Sequence, residues 1–132
     1  MNIKLLYLII VFLFSFGAKS YSQQDDRWYY FAQGDDNKFY VDKETIDYDN
    51  YFNKYTVWVK IVFDIPVYDS YNDRYRVYEL RKWVLNCKAR TNSETEVYIY
   101  YDDNDNYHMS KSNSYTIPPE SIAETLYNIL CK

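Results

Sequence analysis

The stretch Lys54-Tyr55-Thr56-Val57-Trp58-Val59-Lys60-Ile61-Val62-Phe63 restricts the possible folds of this chain more than any other. Side chains of a strand alternate between two faces, so Tyr55, Val57, Val59, Ile61 and Phe63 share one face, and Thr56, Trp58, Lys60 and Val62 share the other. β-Branched and aromatic residues at this density suit a half-buried pleated surface. The aliphatic face predicts a core. A strand of this kind needs partner strands beside it and an apolar layer over it.

The rest of the chain supplies candidates for both. Residues 27–33 are rich in aromatic side chains and predict a first strand, residues 34–37 a turn, and residues 38–42 a returning strand, which together make a hairpin. Residues 43–53 read as a connecting loop. Asp64, Ile65 and Pro66 predict the end of the central strand, followed by a loop over 67–73. Residues 74–87 form a long extended segment in which Tyr78, Leu80 and Val84 favour one side and Trp83, Leu85 and Cys87 the other, which predicts a bulge or bend near Lys82. A helix over 74–82 is the competing reading. Residues 88–94 predict a turn, 95–101 a strand, 102–106 a turn, and 107–110 and 114–117 two further extended pieces. Trp28, Phe39, Trp58, Phe63 and Trp83 read as fillers of the sheet core.

A helix is predicted over 121–131. Ser121 can cap it, with Glu124 three residues on completing a capping box, and Pro118 and Pro119 stop the preceding structure. At about 100° per residue, Ile122, Ala123, Leu126, Tyr127, Ile129 and Leu130 form one broad face, with Cys131 at its rim. So short a helix is marginal alone and must dock. The predicted fold class is α+β: a small, mainly antiparallel sheet of about six strands, with a C-terminal helix packed on one face and tied by a disulfide.

Residues 1–22 read as a secretory signal peptide. Lys4 is followed by an apolar run from Leu5 to Phe16, with small residues near 18–22 at the cleavage positions. About 12 apolar residues fall short of the roughly 20 that a membrane-spanning helix needs. No cysteine follows the run, so lipidation is not indicated. Residues 23–132 then form a single exported domain, periplasmic, cell-surface or secreted. The chain's two cysteines, Cys87 and Cys131, in an oxidising compartment predict a disulfide, with two free buried thiols as the alternative. Two distant cysteines and one histidine are too few for a metal centre, and no cofactor is expected.

The net charge of −4, with no basic cluster longer than Arg81-Lys82, argues against a nucleic-acid partner. Gly34 is the one glycine after the leader, so glycine-rich phosphate loops are excluded. Asp102, Asn104 and Asn106 have calcium-loop spacing, but Tyr107 and Asn113 stand where that loop requires glycine and glutamate, so a hairpin turn is the better account. Asp102, Asp105 and His108 are the best that the sequence offers for a hydrolase, without a recognisable motif. Tyrosine is the commonest residue, 18 in all, more than a small core can bury. Tyr48, Tyr51, Tyr68, Tyr71 and Tyr107 fall in predicted loops and are candidate contacts for a protein or glycan partner, since tyrosine offers contact area at low entropic cost and keeps a polar tip. Scattered filling of exposed sheet positions is the competing account. A periplasmic binder of a small apolar or lipid-like ligand, held between sheet and helix, is the alternative function.

With these elements placed, the chain resembles the surface-adhesin protein E family. The resemblance is carried by Trp28, by Phe39-Tyr40-Val41-Asp42 followed by Thr45-Ile46, and by Val57-Trp58-Val59-Lys60. Asn86-Cys87 and Ile117-Pro118-Pro119-Glu120-Ser121, with Glu124 and Cys131, complete it. Asn86 departs from the aspartate that the family often carries there, and a later glycine-containing strand is absent. The resemblance implies a small antiparallel sheet with the terminal helix tied to one face by the disulfide, and a host-protein-binding role for the best-known members. It supplies no binding residue, because no local binding motif is matched. The expectation is an exported, non-enzymatic interaction protein, a surface adhesin that binds a host or envelope protein or glycan through a tyrosine-rich surface.

Overall fold

The alternation about Val57 and Val59 sets the centre of the molecule. A computed structural model describes residues 26–132; the signal-peptide reading of residues 1–22 lies outside the described residues. The described residues form seven strands: β1 (Trp28–Gln33), β2 (Asn37–Asp42), β3 (Asp47–Asp49), β4 (Lys54–Asp69), β5 (Arg74–Asn86), β6 (Thr91–Tyr101) and β7 (Asn106–Thr116). They form one antiparallel sheet in the order β1-β2-β4-β5-β6-β7, with β3 pairing the start of β4 where β2 has ended. An α-helix, α1 (Ile122–Leu130), follows β7.

The alternation predicted for residues 54–63 holds. Val57 and Val59 are 0% exposed, and with Phe39, Val41, Ile61, Trp83 and Leu85 they pack under Ala123 and Leu126 of α1. Ser121 caps the helix by accepting the Glu124 amide at 3.1 Å, while the Glu124 carboxylate accepts the Glu120 amide at 2.6 Å. The helix is fastened at both ends. Cys131 is bonded to Cys87 with Cα atoms 5.4 Å apart, and the Tyr127 hydroxyl donates to the Cys87 carbonyl at 2.8 Å. At the first turn the Arg90 guanidinium pairs with Glu124 and lies over the Tyr127 ring. Ile129, expected on the packed face, is 47% exposed, while its neighbour Leu130 packs against the core.

Several expectations change. The central strand does not end at Asp64-Ile65-Pro66. Pairing of β4 with β5 breaks between Val62 and Val67 and then resumes, so Pro66 sits where no ladder bond is required of it. Tyr68 is therefore a strand residue, as is Tyr48, because β3 forms within the expected loop. Residues 74–82 are strand, not helix. A register shift does fall at Lys82/Trp83, but the extra residue is Thr95 on β6, and the alternation of β5 runs through it; a second shift falls between Arg76 and Tyr78. β6 starts at Thr91 rather than 95, since Asn92 and Glu94 are buried and point inward. The two last extended pieces are one strand, β7. Trp28 and Trp58, expected in the core, lie on the sheet face away from the helix, in register with Asp42 and Lys82. Gly34 is not left-handed; a side chain there would run into Asn37.

Charged side chains close the part of the helix-side face that α1 does not reach. Asp69 is buried at the far end of β4, accepting from Asn72, from the Tyr101 hydroxyl and from Arg76. The Asn72 hydrogen bond is the main cause that holds its carboxyl down to about 2, against the opposing effect of burial; Tyr101, the Tyr71 amide and Arg76 add to it.

Two outcomes follow from these fastenings. Cys87→Ser or Cys131→Ser opens a loop whose ends are 44 residues apart, so stability should fall by roughly 4 kcal/mol and Tm by more than about 10 °C under oxidising conditions, measured by thermal unfolding. An unchanged Tm would refute the helix's role as a closure. Because the folded pKa of Asp69 lies below its unfolded value of 3.8, its contribution is complete above that value and is lost as pH falls toward 2. Denaturant titrations between pH 5 and 2, taken as about the window that linkage sets, should therefore show a shallower acid loss for Asp69→Asn than for the parent.

Candidate functional site

The face of the sheet opposite α1 carries no covering element among the described residues, and the register arranges its side chains in three transverse rows. Tyr30, Tyr40, Lys60, Leu80, Tyr98 and His108 are successive cross-strand partners from β1 to β7. On one side of this row run Trp58, Lys82, Glu96 and Ser110, with Trp28 and Asp42 paired on β1 and β2. On the other side run Lys38, Val62, Tyr78, Tyr100 and Asn106. Every one of these positions alternates with a residue of the core face: Tyr40 with Phe39 and Val41, Trp58 with Val57 and Val59, Tyr98 with Val97 and Ile99. That alternation was the available signal, and reading Trp28 and Trp58 as core fillers obscured it.

The rings are held by one another. Tyr78 stacks on Tyr100 with centroids 4.3 Å apart, Tyr98 stacks on His108 at 4.3 Å and meets Trp58 at 5.8 Å, and Tyr30 meets Tyr40 edge-on at 5.7 Å. Lysines lie among them. Lys60 Nζ is 4.7 Å from the Tyr78 ring centroid and 5.5 Å from that of Trp28, and Lys82 Nζ is 5.8 Å from that of Trp58. Burial, with Tyr100 alongside, raises the Tyr78 phenol above its ordinary value, so this ring stays neutral at physiological pH.

A groove of about 290 Å³ opens in this face between Trp28, Asp42, Trp58, Leu80, Tyr98 and Tyr100. Asp42 forms its buried wall. The Arg27 guanidinium grips both carboxylate oxygens at 2.9 and 2.7 Å, the Thr45 hydroxyl donates at 2.8 Å and the Glu44 amide at 3.1 Å. Burial acts to raise the Asp42 carboxyl, and these donors outweigh it, leaving its pKa below the ordinary value. The aspartate is thus an ionised anchor that orients Arg27 and the start of β1, with its oxygens already satisfied.

The five tyrosines singled out in the sequence do not form one site. All are exposed. Tyr48 and Tyr51 lie at the end of the sheet where β4 begins, Tyr48 against Tyr55 and Tyr51 against Phe52. Tyr68 packs on Tyr75 at the end where β4 finishes, beside the turn that holds Tyr71, while Tyr107 lies on β7 near the neighbouring hairpin. The two ends are separated by the length of β4, about 50 Å at the usual rise per residue.

The hydrolase trio also fails to converge. His108 faces Tyr98 and Glu96, Asp105 pairs with Arg74 at 2.6 Å, and Asp102 is exposed in the hairpin turn. No group of three or more potential ligands that could hold a metal ion occurs among the described residues. Beside the helix start, a second groove of about 570 Å³ has a charged floor of Arg81, Glu94 and Lys111. Burial acts to raise the Glu94 carboxyl, and the contacts from Lys111 at 2.9 Å and Arg81 at 3.0 Å more than offset it. The same groove is walled by Phe39, Ile61, Trp83, Ile122 and Ala123, so an apolar ligand there would have to cover these three charges.

Comparison with known proteins agrees with this architecture. A family model described as surface-adhesin protein E matches residues 28–132. No curated protein matches the chain significantly. Among solved structures, crystal form II of Haemophilus influenzae protein E aligns with a TM-score of 0.65 at 16% identity, covering 80% of this chain and 87% of that chain. Protein E from non-typeable Haemophilus influenzae aligns with a TM-score of 0.57 at 17% identity, covering 77% and 74%. At such identity the structures establish a common fold. A surface-adhesin family implies an exported or cell-surface protein and points away from an enzyme. No helix among the described residues is long and apolar enough to cross a membrane. On the match that runs through the whole described domain, the chain belongs to the surface-adhesin protein E family.

Proposed function

We propose that the protein is exported through its N-terminal leader and acts as an adhesin, engaging a host or envelope partner through the uncovered aromatic face of its sheet. The observation that carries this is the three-row face itself, six strands wide, in which Trp28, Tyr40, Trp58, Tyr78, Tyr98 and Tyr100 are half-buried against one another. Tryptophan and tyrosine dominate binding hot spots because they remove a large area from water while retaining a polar edge. Rings already fixed by their neighbours lose little further freedom on contact. By contrast, Tyr51 and Tyr71 are 87% and 91% exposed. Two such exposed rings at opposite ends of the sheet fit accessory contacts better than a binding centre.

The test is adhesion of the purified protein to surfaces coated with extracellular-matrix protein or with envelope extract. Trp58→Ala and Tyr98→Ala should each weaken retention by about tenfold or more, the size of a hot-spot truncation. Tyr51→Ala and Tyr71→Ala should change it by less than about twofold, as near-neutral peripheral contacts do. Thermal unfolding of each variant separates lost contact from lost fold. Retention that depends on the two tip tyrosines and not on Trp58 or Tyr98 would refute the assignment of the face.

A further inference from the structure

The charges on the aromatic face narrow the class of ligand. Arg27 is held by Asp42, Lys82 Nζ lies 3.2 Å from a Glu96 oxygen, and Lys38 Nζ lies 3.9 Å from one of Asp64. Lys60 differs. It stands in the middle strand of the face, half-buried, with Tyr40 on one side and Leu80 on the other. Its ammonium contacts only the π faces of Trp28 and Tyr78, and no carboxylate of the described residues lies within 4 Å of it. A ligand that covers this face takes the ammonium out of water. An uncharged apolar ligand would leave it buried against rings alone, which is costly, whereas an anion would complete its shell.

We propose that the face binds an acidic polysaccharide, its sugar rings lying on the aromatic rows and a ring carboxylate meeting Lys60. This rests on the reading of the aromatic face as the binding surface and names its ligand. Sugar rings present C–H faces that pack on Trp58, Tyr98 and the stacked Tyr78–Tyr100 pair, and their hydroxyls suit the phenolic tips, Ser110 and His108. The rows step from strand to strand by about 4.8 Å, a spacing that lets an extended saccharide place successive rings over successive strands. A phosphate-tracking groove for nucleic acid would need a long run of unpaired cations, whereas on this face Lys60 is joined only by Lys54, over the Phe52 ring at the start of the same strand, in lacking a carboxylate partner among the described residues. The charge complementarity is local, an ammonium without a carboxylate partner amid the rings of this face, within a chain of net charge −4.

The purified protein would be titrated with three carboxylated probes, oligosaccharides of hyaluronan, polygalacturonate and alginate, and with the same oligosaccharides after reduction of their carboxyls to alcohols. Binding would be read by calorimetry and by the change in tryptophan fluorescence. At least one acidic probe should bind, about tenfold or more tightly than its reduced form, as expected for a charge-assisted contact. Lys60→Gln should cause the same loss, Lys60→Arg should restore most of it, and Trp58→Ala should weaken the acidic and reduced forms alike. Failure of all three acidic probes to bind, or undiminished binding by a folded Lys60→Gln variant, would overturn the proposal. If the saccharides fail while Trp58→Ala still abolishes adhesion to the coated surfaces, the ligand class falls and the face stands. Adhesion that survives Trp58→Ala brings down the face itself.

Discussion

A helix of nine residues cannot cover a sheet six strands wide. At 1.5 Å per residue α1 is about 14 Å long and about 10 Å across, whereas six strands span about 24 Å and a strand the length of β4 about 50 Å. The rest of the molecule follows from this shortfall. Where α1 does lie, the chain places its aliphatic side chains, and it fastens the helix with a disulfide at one end and an arginine at the other. Elsewhere the sheet must be finished with side chains that tolerate both a neighbour and water.

On the helix side this is done with ion pairs and with a second small apolar cluster of Val97, Ile99, Tyr101 and Met109. Glu79 is 2% exposed, yet it sits between Arg76 and Arg81, and Arg81 reaches on to Glu94, which also accepts from Lys111 and the Trp83 indole. Buried ion pairs of this kind contribute little net stability over an apolar filling. They do determine which faces can meet. The extra residue at Thr95 shifts the alternation of β6 so that Asn92 and Glu94, as well as Val97 and Ile99, point to the helix side. A slip of one residue would expose those valine and isoleucine side chains and bury Glu96 without its lysine.

How much of this could be read beforehand depended on whether a residue's partners lay near it in sequence. The alternation of residues 54–63, the Ser121/Glu124 cap and the two cysteines are local or compartmental signals, and each led to the observed element. The buried stretch at Asn92 and Glu94 looked like a turn because its justifying partners, Tyr115, Arg81 and Lys111, come from other strands. Pro66 predicts an early end to β4 because a proline forbids a paired central position, and nothing local announces that the pairing is suspended there. The aromatic face is hidden in the sequence for a different reason. Tryptophan and tyrosine suit both a core and a wet surface, so composition alone does not assign them; only the phase of Trp58 against Val57 and Val59 does.

That phase separates the work of the two faces. Strands place a side chain on one face without disturbing the other, so the aliphatic and ionic side can be selected for closure while the aromatic side is selected for contact. The contact side is also rigid. Its rings sit on strands rather than loops, each braced by a neighbour, and Asp42 pins Arg27 at the edge where Trp28 enters. Rigidity of this kind lowers the entropic cost of binding but limits shape adaptation, which favours an extended, repetitive ligand over a globular one with its own relief. A rigid array with an unmatched charge near its middle adapts little to a ligand's shape. It discriminates well between a chain that brings an anion to Lys60 and one that does not.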